Sequence, residues 1–255
     1  MNRIVSDLLN LIKKQFSPQR QTLVAIAGIP GSGKSTICRQ IKQEMGDQTV
    51  GIVSMDGYHI PQQYLSPEEM AVRGAPHTFD YDALEKDLTS LRQNQFGSFP
   101  SFDHHVGDPV PNSIVITPNQ LVVLIEGNYL LMNVEPWNRL SNLFDVRWFM
   151  DVGIDDAMAR VIYRHMQAFG LSYEAAEERA NRNDRQNASW ILKYRSPSIH
   201  LYIPNIQDEV FASGKFYKGL HHRFRSNSVS GEAFHAFNPL YVNSELPYTS
   251  PNNIQ

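Results

Sequence analysis

The stretch Thr22-Leu-Val-Ala-Ile-Ala-Gly28-Ile-Pro-Gly-Ser-Gly-Lys34-Ser35-Thr36 joins two kinds of sequence through a turn. Its first seven residues are apolar almost throughout and end in glycine, the pattern of a buried parallel strand. Lys34 to Met45 reads as a helix. Between them, Gly28 to Ser35 satisfies G-x-x-x-x-G-K-[ST] in the strand-to-helix setting that this motif requires. Glycines at 28, 31 and 33 let successive backbone N–H groups turn inward and form a concave anion site at the positive end of the following helix. The predicted triphosphate cradle therefore comprises Gly28, Ile29, Pro30, Gly31, Ser32, Gly33, Lys34, Ser35 and Thr36. Lys34 is placed to reach the β- and γ-phosphates and the Ser35 hydroxyl to bind magnesium. A dinucleotide fingerprint would need glycine where Thr36 stands.

Outward from this stretch, strand and helix patterns alternate. Val50–Met55 is apolar and runs into Asp56-Gly57, and residues 82–91 place Leu84, Leu88 and Leu91 on one helical face. Residues 121–125 are the most apolar of the chain and stop at Glu126-Gly127, while residues 146–152 stop near Asp151. Helices are predicted over 155–169 and, opened by Ser172 with Glu174 and Glu177 in its first turns, over 172–193. Residues 199–203 read as a last strand. Such alternation predicts an open α/β sheet, whose ligands gather at the carboxyl ends of the strands.

Composition narrows the class further. The 255 residues are 42% hydrophobic and carry 23 Lys plus Arg against 26 Asp plus Glu, so no basic field draws nucleic acid or anionic lipid. The lone Cys38 makes no internal disulfide, and no apolar run approaches a membrane span. A cytoplasmic setting is the simplest expectation. Residues 1–20 read as an amphipathic helix, 21–205 as the catalytic domain, and 206–255 as an extension of unknown role that holds eight of the 27 aromatic residues without clear periodicity.

Two carboxylates close core strands. Phosphoryl transfer needs positioning, charge neutralisation by metal and a group that takes the proton of the attacking hydroxyl. Asp56 is assigned as that general base, and Glu126 as a residue holding magnesium or its waters opposite Ser35. Asp151 is a third acid, read more readily as a turn residue. Tyr58, His59, Arg73, Phe79, Asp80, Asp103, His104 and His105 fall between core strands, in segments read as loops, with the composition of a pocket for a small hydroxylated substrate. Arg73 is positioned to hold an anionic group. The His104-His105 pair lacks a third ligand at metal spacing, so a transition-metal site is not expected.

Together the phosphate loop, Met55-Asp-Gly-Tyr-His59, Arg73-Gly-Ala-Pro-His-Thr-Phe-Asp80, Phe102-Asp103-His104, Glu126-Gly-Asn-Tyr129 and Arg160-Val-Ile-Tyr-Arg164-His165 resemble, in this order, the phosphoribulokinase/uridine kinase superfamily. Within it the chain is similar to the pantothenate kinase-like group of sugar or nucleoside kinases. The resemblance spans about residues 22–200. It implies a P-loop three-layer α/β sandwich with a mostly parallel open sheet and a helical lid, and an ATP- and Mg2+-dependent transfer to a hydroxyl of a nucleoside, pantothenate-like acid or sugar. It also implies Asp56 as catalytic base, Glu126 near the metal, Asp103 and His104 lining the acceptor pocket, and Arg164 as a lid residue. A guanidinium brought over the nucleotide stabilises the transferring phosphoryl group and helps exclude water. Arg160, one turn earlier, shares the helix face and ranks below Arg164, with Arg182 and Asn187 weaker still.

The resemblance thins after the lid region. Ser198-Ile-His-Leu-Tyr202 stands where the superfamily often has an Ala-Asp-containing strand, so no adenine contact is carried over, and a homodimer is neither required nor excluded. The competing expectation is a nucleotide-binding regulator that keeps the kinase fold with weak or no transfer. A GTPase switch is disfavoured because no Asn-Lys-x-Asp occurs in the chain.

Overall fold

The computed structural model describes residues 3–15, 19–204 and 241–242. In chain order the elements are α1 (Arg3–Gln15), β1 (Thr22–Gly28), α2 (Lys34–Met45), β2 (Val50–Ser54), α3 (Pro67–Ala71), α4 (Tyr81–Asn94), β3 (Gly97–Asp103), β4 (Asp108–Ile116), β5 (Val122–Gly127), β6 (Val146–Asp151), α5 (Ile154–Phe169), α6 (Tyr173–Arg179), α7 (Arg185–Tyr194), β7 (Leu201–Pro204) and β8 (Tyr241–Val242). The main sheet runs β2-β5-β1-β6-β7-β8; every pair is parallel except the last. Aliphatic β1 and β5 occupy its middle and are buried along their whole length, as strands covered on both faces must be.

Helices cover both faces. On one, Val5, Leu8, Leu9 and Ile12 of α1 and Ile37, Cys38 and Ile41 of α2 pack with Val24, Ile26, Leu124 and Trp148. The amphipathic α1 is thus part of the core rather than a loose leader. On the other face, Leu84 and Leu88 of α4 and Ala157, Met158 and Val161 of α5 meet Ala25, Val53, Ile125 and Phe149. The architecture is the expected three-layer α/β sandwich.

Two elements differ from the sequence reading. The segment carrying Asp103, His104 and His105, expected to be loop, lies in the antiparallel hairpin β3–β4 of residues 97–116, with Asp103 paired to Asp108 at its end and His104 and His105 in its turn. Pro100, Pro109 and Pro111 interrupt any strand pattern, and a two-stranded ribbon tolerates them because its outer edges need no further backbone donors. The helix expected over 172–193 is broken into α6 and α7 by a π-helical turn at Ala180–Asp184. The aromatic extension lies outside the described residues except for Tyr241–Val242, which pair with β7. Among the described residues, no helix is long and apolar enough to cross a membrane.

The amino end of the sheet is tied together by Asp145. Its carboxylate accepts from Arg20 Nη2 at 2.7 Å, from Arg92 at 2.9 and 3.0 Å and from the Leu23 amide at 2.9 Å. Asp145→Ala would take this shared acceptor from Arg20 and the Leu23 amide and leave Arg92 only the Leu143 carbonyl, and is expected to cost about 2 kcal/mol. Urea denaturation checks it; a change below about 0.5 kcal/mol, the scale of an ordinary surface substitution, would show the hub to be ornamental.

Candidate active site

The phosphate loop lies between β1 and α2, with Gly31 and Gly33 in left-handed backbone at φ 76° and 92°. Gly31 also sits where a Cβ would stand 2.3 Å from the Ala157 carbonyl oxygen of α5, so neither the conformation nor the space admits a side chain. Gly31→Ala should therefore displace the loop or α5, and a loss of ATP affinity of at least about tenfold is expected for a strain of this kind. Isothermal calorimetry checks it, and wild-type affinity would contradict the geometry.

Lys34 is almost wholly buried, at 9% exposure. Its Nζ donates to the carbonyls of Gly28 and Ile29, each at 3.0 Å, and to Asn128 Oδ1 at 2.8 Å. Burial pushes its pKa down to about 8, against the opposing pull of Glu126 and Asp56. Between pH 8 and 10.5 the unfolded chain holds a proton here that the folded chain has lost, so raising the pH through this window favours the fold. Relative to Lys34→Met, wild-type stability should therefore rise between about pH 8 and 10 by a few kcal/mol, on the order of 1.4 kcal/mol per pKa step. Paired urea titrations would refute this if the difference were flat.

β5 separates β1 from β2, and its register sets Glu126 between Ile26 and Ser54. The Glu126 carboxylate accepts from Ser35 Oγ at 2.8 Å. Burial raises its pKa, Asp56 raises it further, and Lys34, Ser35 and Ser54 work against that rise. Two carboxylates thus face one site with incomplete neutralisation. Hard oxygen donors on Ser35 and Glu126 in that setting fit a magnesium ion. Asp56 lies in the 3-10 turn Met55–Tyr58 directly after β2, its amide capped by Ser54 Oγ. Gly57 brings this turn against β3, where a Cβ would meet the Pro100 carbonyl oxygen at 2.3 Å. The fold therefore brings Asp56, Glu126, Lys34 and Ser35 to one end of the sheet.

Residues 23–210 match the family model of the phosphoribulokinase/uridine kinase family. The chain belongs to this family. A "putative uridine kinase" of Schizosaccharomyces pombe is 36% identical over 201 residues, covering 73% of this chain and 85% of that one. The uridine kinase of Brevibacillus brevis is 31% identical over 155 residues, 60% of this chain and 70% of its own. Among solved structures, a "putative fructose transport system kinase" from Silicibacter sp. TM1040 superimposes with a TM-score of 0.71 at 31% identity, over 76% of this chain and 96% of that one. The protein is thus a P-loop kinase with a hydroxyl compound as acceptor.

The residues expected to line the acceptor side fall on the 58–80 segment and the hairpin. The Tyr58 hydroxyl donates to Asp87 Oδ2 at 2.8 Å, and burial raises its pKa. His59 Nδ1–H donates to the Asp56 carbonyl at 2.8 Å, and its ring lies 4.1 Å from that of Phe79 and 4.8 Å from that of Phe102. Burial lowers the His59 pKa. Arg73 donates to Asp108 Oδ1 at 2.8 Å, to the Ile60 carbonyl at 3.0 Å and to the Gly107 carbonyl. Asp103 Oδ1 accepts from the amides of His105 and Val106, which holds its pKa down and organises the hairpin turn, while His104 packs its ring against Phe102 at 5.2 Å.

On α5, Arg160 Nη1 donates to the Gly31 carbonyl at 3.2 Å. Arg164 is exposed, and its charge acts on Lys34 and Asp184. The lower-ranked arginine is the one touching the phosphate loop. Sequence reasoning also passed over Asn128 and Asp108. Asn128 was visible only as a polar residue two places after Glu126, and Asp108 only as an acid near two histidines. Asn183 of the π-helical turn and Asn187 of α7 donate through Nδ2 to the carbonyls of Arg73 and Gly74 at 2.7 and 3.3 Å, which fastens this helical segment to the 73–74 loop. Asp151 is exposed at the end of β6.

Proposed function

We propose that this kinase transfers the γ-phosphoryl group of ATP to a hydroxyl of a small metabolite of the nucleoside, sugar or pantothenate-like class, with Asp56 as general base. The observation that carries the reading is the convergence of the loop lysine, the Ser35–Glu126 pair and Asp56 at the carboxyl ends of β1, β5 and β2. Ser35 and Glu126 would hold magnesium, which supplies charge neutralisation at the β- and γ-phosphates. Lys34 exchanges its loop carbonyls for phosphate oxygens when ATP enters. Arg160, already on the loop, and Arg164, close enough to act on Lys34, supply positive charge over the transferring group. Asp56 takes the proton of the acceptor hydroxyl as its oxygen attacks phosphorus in line with the departing ADP oxygen. Tyr58, His59, Arg73, Asp103 and His104 shape the acceptor side, Tyr58, Arg73 and Asp103 mainly by holding its walls.

The relatives' names divide between a nucleoside and a sugar, so they support the reaction more firmly than the acceptor. Purified protein with MgATP should release ADP in proportion to added hydroxyl compounds from a broad panel. Normal ATP binding with no acceptor-dependent release would overturn the reading.

A further inference from the structure

The walls of the acceptor side carry a charge pattern that the kinase reading leaves unused. Resting on that reading and narrowing its acceptor, we propose that the acceptor bears no negatively charged group, so that an uncharged nucleoside, sugar or polyol is admitted while a sugar phosphate or a hydroxy acid, the pantothenate-like one included, is not. The first observation concerns Arg73, the guanidinium placed on this side. Phosphates and carboxylates are held by the paired donors of such a group. Arg73 has already committed its Nη atoms to Asp108, Ile60 and Gly107, and its face lies over Phe102 at 5.6 Å. Three of its five N–H donors are so used, and its Nε is buried, so the guanidinium presents no open paired edge to an anion. Asp108 is itself fixed, accepting from the Gln62 amide at 3.0 Å, so the pair locks the hairpin turn to the 60–62 segment.

The second observation is independent of that pair. Residues 56–80 and 97–108, which build this side, contain one Lys or Arg (Arg73) against six Asp and Glu. His59, kept uncharged by burial, adds no compensation. The lid arginines serve elsewhere: Arg160 holds the Gly31 carbonyl, and Arg164 acts on Lys34 and Asp184. An anionic acceptor would thus approach Asp56 through a field of its own sign, which slows encounter and weakens binding.

Charge alone sorts candidate acceptors, so the test runs with the acceptor unidentified. A deproteinised metabolite extract is split on an anion-exchange column, and the unretained and retained fractions are offered to the full chain with MgATP, using Asp56→Asn as the blank. Phosphorylated product and ADP are both measured. The unretained fraction should support at least about tenfold more acceptor-dependent transfer, the size expected for like charges held several ångströms apart near a protein surface. Transfer mainly into retained compounds overturns the inference and leaves the kinase reading intact. Transfer into neither, with ATP binding normal, overturns the kinase reading and this inference with it. In addition, Asp108→Asn, which leaves the Arg73 charge uncompensated, should narrow the preference by roughly tenfold. A folded variant with unchanged selectivity would also count against the inference.

Discussion

Asp56→Asn is expected to lower kcat by between about a hundred- and ten-thousandfold, the span of general-base contributions, while ATP affinity changes little. The substitution keeps the size and hydrogen-bonding reach of the side chain. What it removes is the ability to take the proton of the attacking hydroxyl. Asp56 sits in a turn held by Ser54 Oγ below and by the His59 amide and ring on its carbonyl, so Asn should occupy the same place. It also removes a negative charge that raises the Glu126 pKa, a change that favours rather than weakens the ionised carboxylate proposed to hold magnesium. A loss confined to kcat therefore identifies the base. Steady-state kinetics with calorimetric ATP titration distinguish the outcomes, and unchanged turnover would remove Asp56 from the role.

Lys34→Met should lower kcat/KM by at least about a hundred- to thousandfold, the usual loss on deleting one positioned donor from a site of developing charge. The ammonium group is held among two loop carbonyls and Asn128, in a buried setting where its field is little screened. Methionine fills the same channel without donors. Asn128→Ala keeps the charge and loses one anchor, so a smaller loss is expected. If Lys34→Met and Asn128→Ala lost activity equally, positioning rather than charge would be the contribution of Lys34. Rates at saturating ATP separate binding from transfer.

Much of this was legible in the chain itself, for identifiable reasons. The apolar runs of β1 and β5 are long and unbroken because both faces are covered, and the glycines at 31 and 33 mark backbone that other residues rarely adopt. Asp56 and Glu126 stood out because each ends such a run. The hairpin did not, since its prolines and half-exposed faces erase the strand signal. Nor did the contacts that join distant segments: Arg73 to Asp108 spans 35 positions, Asn183 to Arg73 spans 110, and Arg160 to Gly31 spans 129. Local pattern carries no information about which polar groups meet across such distances. Arg73 is the clearest case, since as a sequence it offers an anion site and as a structure it is a strut between two loops.

The central claim is that the loop cradle and Asp56 act on one phosphoryl group and one alcohol. Its most direct test is to incubate the protein with γ-labelled ATP, magnesium and a deproteinised metabolite extract, then follow the label. The label should move into a phosphate monoester of a small molecule, and Asp56→Asn should suppress this transfer while still binding ATP. Label found only in inorganic phosphate, or moved equally fast by both proteins, would contradict it.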